Sequence, residues 1–398
     1  MILQSMKKQI KKITAAAFCT VLAFASLTSF ASCQRVAEEP AESGSNTNAD
    51  SDTVNADFVS PVYASLSEDE QAVYDKISAA VSEFRDTVSF DPPISRDTAR
   101  KIYKLVYSQE RRYFWLSNLF YAPESEISML RLHYLYEKSD AETKRAELDI
   151  AASTVIGELP EDASDFDKIV YFHDKIALSC TFSDTAEHVK SAYGVLVTGY
   201  GQCEGYAAAM SALCDKAGIP NYTAFGETKE GVSHAWNKVL LNGSWYNVDC
   251  TWDDPIIRRN DPDFVRHDYL LVKDSEIEGK THFPDELCKG LTSCENDSMN
   301  YFTGKGLLFG SAADGTDALT EQIKSAGLAG KREAEIRFSS EDAYFAAMAR
   351  LFDSRELKNI IEDINGSCGT HIRSAYKHNN DDMHIVHISL IYESDPEE

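Results

Sequence analysis

The dipeptide Asn242-Gly243 constrains this chain more than any other pair of residues. It separates two strand-like runs, His234 to Leu241 and Ser244 to Thr251. Asn-Gly tolerates the two positive φ angles of a type I′ turn, so the stretch predicts a tight hairpin. A two-residue turn fixes the register. Leu241 faces Ser244, and counting outward Trp236 faces Asp249 and His234 faces Thr251. His234 and Asp249 then share a face as diagonal neighbours, with Cα atoms roughly 7–8 Å apart. An imidazole and a carboxylate can close that span with a hydrogen bond. A slip of one residue would send them to opposite faces.

Upstream lies Gly201-Gln202-Cys203-Glu204-Gly205-Tyr206-Ala207. From Cys203 onward the pattern is helical: Tyr206, Ala207, Met210, Leu213 and Cys214 form a stripe, and Gly218 followed by Pro220 ends it. Cys203 is therefore expected at a helix N-terminus. A thiol becomes an effective nucleophile where a cation or a helix start favours the thiolate. Both are open to Cys203, the cation being His234 if the hairpin packs on the helix. Asp249 would orient that imidazole and stabilise its charged form. N–H groups at the helix start are natural oxyanion donors, and Gly201 and Gly205 permit close backbone approach. The residues alone leave a second reading open: a buried Cys, a packed His and a strand Asp with no shared task.

The segments Gly201 to Ala207, His234-Ala235-Trp236-Asn237 and Trp245-Tyr246-Asn247-Val248-Asp249-Cys250-Thr251-Trp252-Asp253-Asp254-Pro255 closely resemble the transglutaminase-like superfamily. Its bacterial members show G-x-C-x-G-Y-A, H-A-W-N and W-Y-x-V-D-x-T-W-D-D-P. The resemblance covers roughly Ser164 to Gly290. It implies an α+β, papain-like core in which a Cys-bearing helix packs on an antiparallel sheet. It assigns Cys203 as nucleophile, His234 as acid–base and Asp249 as orienting group. It implies acyl transfer through a thioester, with no cofactor and no metal. Gln202 replaces the usual apolar residue before the nucleophile; it and Tyr193 are candidates to lie near the oxyanion, and Trp236 to wall the cleft.

Around this core, residues 58–160 read as a helical accessory domain, 161–290 as the catalytic domain and 300–398 as a small C-terminal α/β unit. Val73, Ile77, Ala80, Val81 and Phe84 follow helical spacing, as do Ala99, Ile102, Tyr103, Val106 and Tyr107. Asp91-Pro92-Pro93 interrupts them. Met129 to Tyr136 fits either a strand or a helix entry. His173 reads as a packed side chain, Asp253 to Asp263 as a solvated loop, and His282-Phe283-Pro284 as a closing loop. His384 and His387 fall on opposite strand faces, which argues against a metal site.

The first 32 residues read as a bacterial lipoprotein signal: Lys7, Lys8, Lys11 and Lys12, an apolar run to Phe30, then Ala31-Ser32-Cys33. Cys33 is the expected lipidation site, and a plain secreted protein is the alternative. Residues 33–57 carry little to bury and read as a disordered tether. The expected location is extracytoplasmic, with the membrane engaged through the lipid anchor alone. The net charge of −25 argues against nucleic acid as a partner. Nine cysteines include no C-x-x-C pair, so a structural zinc site is not expected.

The function expected is hydrolysis of protein, peptide or cell-wall peptide amides by a thiol enzyme. Two alternatives stand beside it: a glutamine–amine cross-linking transglutaminase, and a catalytically silent binding or scaffold module on the same fold.

Overall fold

Serine caps and turn residues punctuate the chain much as its pattern suggests. The computed structural model describes residues 58–123, 126–254 and 265–395; the signal, Cys33 and the tether lie outside them. Helix α1 (Glu68–Ser82) opens on a capping box in which Ser67 and Glu70 exchange hydrogen bonds. Strand β1 (Thr87–Ile94) follows, then helix α2 (Arg96–Gln109), capped by Ser95. Strand β2 (Ile127–Arg131) pairs antiparallel with β1. Of Met129 to Tyr136, expected as a strand or a helix entry, residues 129–131 are strand and 132–136 are irregular, with one isolated bridge from Tyr134 to Leu116. Asp91-Pro92-Pro93 lies within β1 instead of breaking the chain. A two-stranded ribbon has two edges, where proline need not donate to a ladder, and the register shifts between Ser89 and Ile94.

Helices α3 (Lys138–Gly157) and α4 (Asp165–Ser179) lead to α5 (Cys203–Ala217), which begins at the cysteine itself. Gly218 ends α5 with φ 72°, the left-handed conformation that suits glycine. The central sheet is antiparallel. Its strands are β3 (Asn221–Thr228), β4 (Ser233–Leu241), β5 (Ser244–Val248), β6 (Leu270–Val272) and β7 (His282–Pro284), in the spatial order β6-β5-β4-β3-β7. Leu241 faces Ser244 and Asn237 faces Val248, the register expected from the turn. Asn242 and Gly243 both have positive φ, 50° and 78°.

Asn237 fixes how this sheet meets α5. Its buried side-chain amide donates to the Ala207 carbonyl at 3.0 Å and to Ser211 Oγ at 2.9 Å. The opposed face of α5 is mostly small or aliphatic, with Ala207, Met210 and Leu213 buried. A buried amide with both donor bonds made locks strand to helix. The apolar core that results runs from Val62 to Phe302 and takes in Met383 and Ile385 of the C-terminal unit, so α1 and α2 pack into it with the central sheet.

The C-terminal unit has a second core and its own sheet. A two-residue strand β8 (Leu308–Phe309) precedes helix α6 (Ala312–Ala329), which the pattern had not suggested. Strand β9 (Glu333–Phe338), helices α7 (Glu341–Met348) and α8 (Glu356–Cys368), and the hairpin β10 (Ile372–Asn380) and β11 (Ile385–Tyr392) complete it. The order is β8-β9-β11-β10. Among the described residues, no helix is long and apolar enough to cross a membrane.

Gly243 has open space where a Cβ would stand, so only its positive φ resists substitution. Gly243→Ala should therefore cost about 1 kcal/mol, read as a lower denaturant midpoint with an unchanged m-value.

Candidate active site

Three elements converge on one point. The start of α5 carries Cys203, the start of β4 carries His234, and the residue after β5 is Asp249. Cys203 Sγ lies 4.0 Å from the carbonyl of Ser233, the residue before His234. His234 Nε2 and Asp249 Oδ2 are 2.6 Å apart, both side chains buried. That bond leaves Nδ1 of the imidazole for Cys203, which interacts with the ring and helps to charge it.

Asp249 is held from every side. Its Oδ2 also meets His282 Nε2 at 2.9 Å. Its Oδ1 accepts from Thr251 N at 2.9 Å and Trp252 N at 3.2 Å, capping the short helix Cys250–Asp253. Burial alone would raise this carboxyl, but the charges and hydrogen bonds of His234 and His282 hold it well below the usual carboxylate range. Burial alone would lower His234. The Asp249 carboxylate overrides it, with help from Cys203, and raises the imidazole to about 10. The histidine is thus kept as a cation beside the sulfur.

His282 was expected in a closing loop; it stands instead on strand β7, fully buried, its ring packed edge-on to His234 and Trp236. A three-residue strand is too short for its alternation to be read. Asp253, expected in a solvated loop, is wholly buried; it accepts from Tyr269 N and meets His173 Nε2 at 3.2 Å. Residues 255–264 of that expected loop lie outside the described ones.

Cys203 and His234 lie at the floor of a cleft of about 1000 Å³, with Gln202 at its lip. The Gln202 amide donates to Asp184 at 3.0 Å. It does not cap α5, so the first N–H groups of that helix are left uncapped by a side chain. Tyr193 lies elsewhere. Its hydroxyl donates to Glu147 and its ring stacks on Phe114, because the turn before α5 packs it against α3. Trp236 is buried below His234, stacks on it at 6.0 Å and donates to Asn247. It supports the imidazole and does not line the cleft. Both glycines flanking the cysteine are needed for space: a Cβ on Gly205 would meet the Val189 carbonyl at 2.2 Å, and one on Gly201 would meet Val195 at 2.7 Å.

Residues 153–250 match the transglutaminase-like superfamily. This transglutaminase-like domain holds Cys203, His234 and Asp249, and the cysteine helix on its antiparallel sheet is the papain-like arrangement. The chain is similar to the kyphoscoliosis peptidase of Mus musculus, 27% identical over 38% of this chain and 26% of the relative. It is similar to that of Homo sapiens, 32% identical over 29% of this chain and 21% of the relative. It thus spans about a quarter of those proteins' length. A solved structure of a TGase overlaps 41% of this chain and 48% of its own at 16% identity, with a TM-score of 0.26.

Two groups bring metal-type ligands within 4.8 Å of one another: His234, Asp249 and His282, and His173, Asp174 and His267. In the second group Asp174 Oδ1 lies 3.0 Å from both imidazoles, and His267 Nδ1 lies 2.7 Å from Glu335.

His234 is raised from its ordinary 6.5 to about 10, so its stabilising effect is full below pH 6.5 and is lost as pH rises toward 10. Asp249 is depressed, so its effect is present above its ordinary 3.8 and is lost as pH falls below that. The gap in unfolding temperature between the wild type and His234→Gln should be widest near pH 6 and shrink toward pH 10. A constant gap across that range would contradict the assignment.

Proposed function

We propose that this protein is a thiol-dependent acyl-transfer enzyme acting on peptide or protein amides, with water as the principal acceptor. The observation that carries the reading is the line from Asp249 through His234 to Cys203 at the floor of an open cleft. In the forward step the Cys203 sulfur attacks the amide carbonyl carbon. The carbonyl oxygen takes up the electron pair and is received by the N–H groups at the start of α5. As the tetrahedral adduct collapses, the C–N bond breaks. The His234 imidazolium gives its proton to the leaving amine, and a thioester remains. Neutral His234 then takes a proton from water, whose oxygen attacks the thioester. The acid departs and the thiolate–imidazolium pair is restored.

Asp249 keeps one ring nitrogen engaged throughout, so the other always faces the sulfur. Its own proton affinity is too low for it to accept a proton at neutral pH. An amine can replace water in the second half without any change to the first. Water is favoured because it is the abundant acceptor where the cleft opens to solvent. The signal-like first 32 residues support a body exported and tethered through Cys33, which would place this chemistry outside the cytoplasm.

Cys203 should react with iodoacetamide faster than a model thiol near neutral pH. Cys203→Ala should abolish turnover, and Asp249→Asn should reduce it by about 10³-fold or more. Mass spectrometry of glutamine peptides, with and without a labelled amine, separates cleavage, deamidation and cross-linking. A thiol no faster than the model compound would leave only the binding-module reading.

A further inference from the structure

The cleft has one wall unlike the rest of this protein. The chain holds 64 acidic against 39 basic residues, yet the α2 wall presents Arg96, Arg100, Lys104 and, just beyond the helix, Arg111 and contributes no acid of its own, while the cleft's acids Glu204, Glu227, Asp285 and Glu286 come from its other walls. Arg96, Arg100 and Lys104, four residues apart, fall on one stripe of the helix. Two of the wall's bases are already engaged: Lys104 pairs with Asp285 across the cleft at 2.7 Å, and Arg111 lies over the Tyr107 ring at 5.5 Å. A further base in the cleft, Lys190, pairs with Glu204 at 3.2 Å. Arg96 and Arg100 are exposed and have no carboxylate partner among the described residues.

An arginine pair without carboxylate partners, in the same cleft as Cys203 on an otherwise acidic body, is suited to receive an anion. We propose that the substrate is an anionic peptide whose carboxylate is bound by Arg96 and Arg100. This rests on the acyl-transfer reading for its chemistry but not for its binding. The helix gives the spacing. Tyr107 reaches Glu204, the neighbour of Cys203, with its hydroxyl at 3.4 Å. From Tyr107, Arg100 is about 10 Å and Arg96 about 16 Å along the axis at 1.5 Å per residue. An extended peptide advances about 3.3 Å per residue, so the carboxylate stands roughly three to five residues from the attacked carbonyl. Of the aromatic residues lining the cleft, half-buried Phe120 offers apolar contact to the intervening residues, while Tyr103 and Phe225 are buried beneath the wall. Planar guanidinium groups suit a carboxylate better than lysine would.

The test uses the full chain carrying Cys203→Ala, which binds without turnover. Fluorescent peptides with a central glutamine carry Glu, Gln or Lys three to five residues away, and anisotropy reads affinity at low and high salt. The Glu peptide should bind at least tenfold more tightly than the Lys peptide, with the gap narrowing in salt. Adding Arg96→Glu and Arg100→Glu should erase or invert the preference. Both arginines are exposed, and an unchanged unfolding temperature verifies the fold. A further arm compares an internal Glu with a free C-terminal carboxylate, and the tighter of the two identifies a protein segment or a short peptide end as the source. Equal binding of Glu and Lys peptides, or a preference that survives both substitutions, overturns the proposal. A wild-type Cys203 that labels no faster than a model thiol overturns the acyl-transfer reading instead, and leaves this measurement intact.

Discussion

A single carboxylate stripped of water governs the architecture of the site. Asp249 is almost fully buried, and a charge in that position is tolerable only with a full set of donors. It has four: two imidazoles on Oδ2 and two backbone N–H groups on Oδ1. Three structural features supply these four donors. The type I′ turn sets the register that brings His234 near, and the end of β5 lets the chain bend into the short helix it caps. Strand β7 must cross to the far edge of β3 to deliver His282. Losing any one donor leaves acceptor capacity buried without a partner, which costs more than the bond itself contributes. The orientation of His234 is therefore a consequence of satisfying Asp249, and the proposed chemistry would use a geometry that folding already requires.

The same short helix ends on a second buried acid, Asp253, and one residue clamps both. Tyr269 accepts from the Asp249 N–H with its carbonyl at 3.1 Å and donates its own N–H to the Asp253 carboxylate. The end of the hairpin is thus tied to strand β6 by backbone bonds at both of its acids. This holds the Asp249 carboxylate in a fixed direction at the end of the hairpin.

What could be read in the sequence follows from the range of the forces involved. The turn, the register, the helix starting at Cys203 and the pairing of His234 with Asp249 all depend on residues close in the chain, and periodicity reports them well. Asn237 was visible only as part of a motif; its role as the pin between β4 and α5 needs both elements in place. His282 and Asp253 read as loop because each gains its meaning from a partner 33 or 80 residues away, His282 with Asp249 and Asp253 with His173. Tyr193 and Trp236 were placed near the chemistry because of their position in the chain. The fold turned Tyr193 toward α3 and put Trp236 beneath the imidazole, where an aromatic face fills space that a polar wall would leave wet.

The C-terminal unit shows how far this dependence extends. From Asp253 a chain of alternating charge runs through His173, Asp174, His267, Glu335 and His387 to Asp268. Each histidine stands between two carboxylates. Burial lowers His387, but Asp268 and Glu335 raise it to about 9, so the alternation is kept as charge against charge. The first members lie on α4 and beside the β4-β5 hairpin, while Glu335 and His387 lie on paired strands β9 and β11 of the C-terminal sheet. Cutting such a chain at one point leaves an unpaired buried charge on both sides of the cut. The C-terminal sheet is thereby part of the electrostatic support of the helix that Asp249 caps, since the acid at the other end of that helix is the first link.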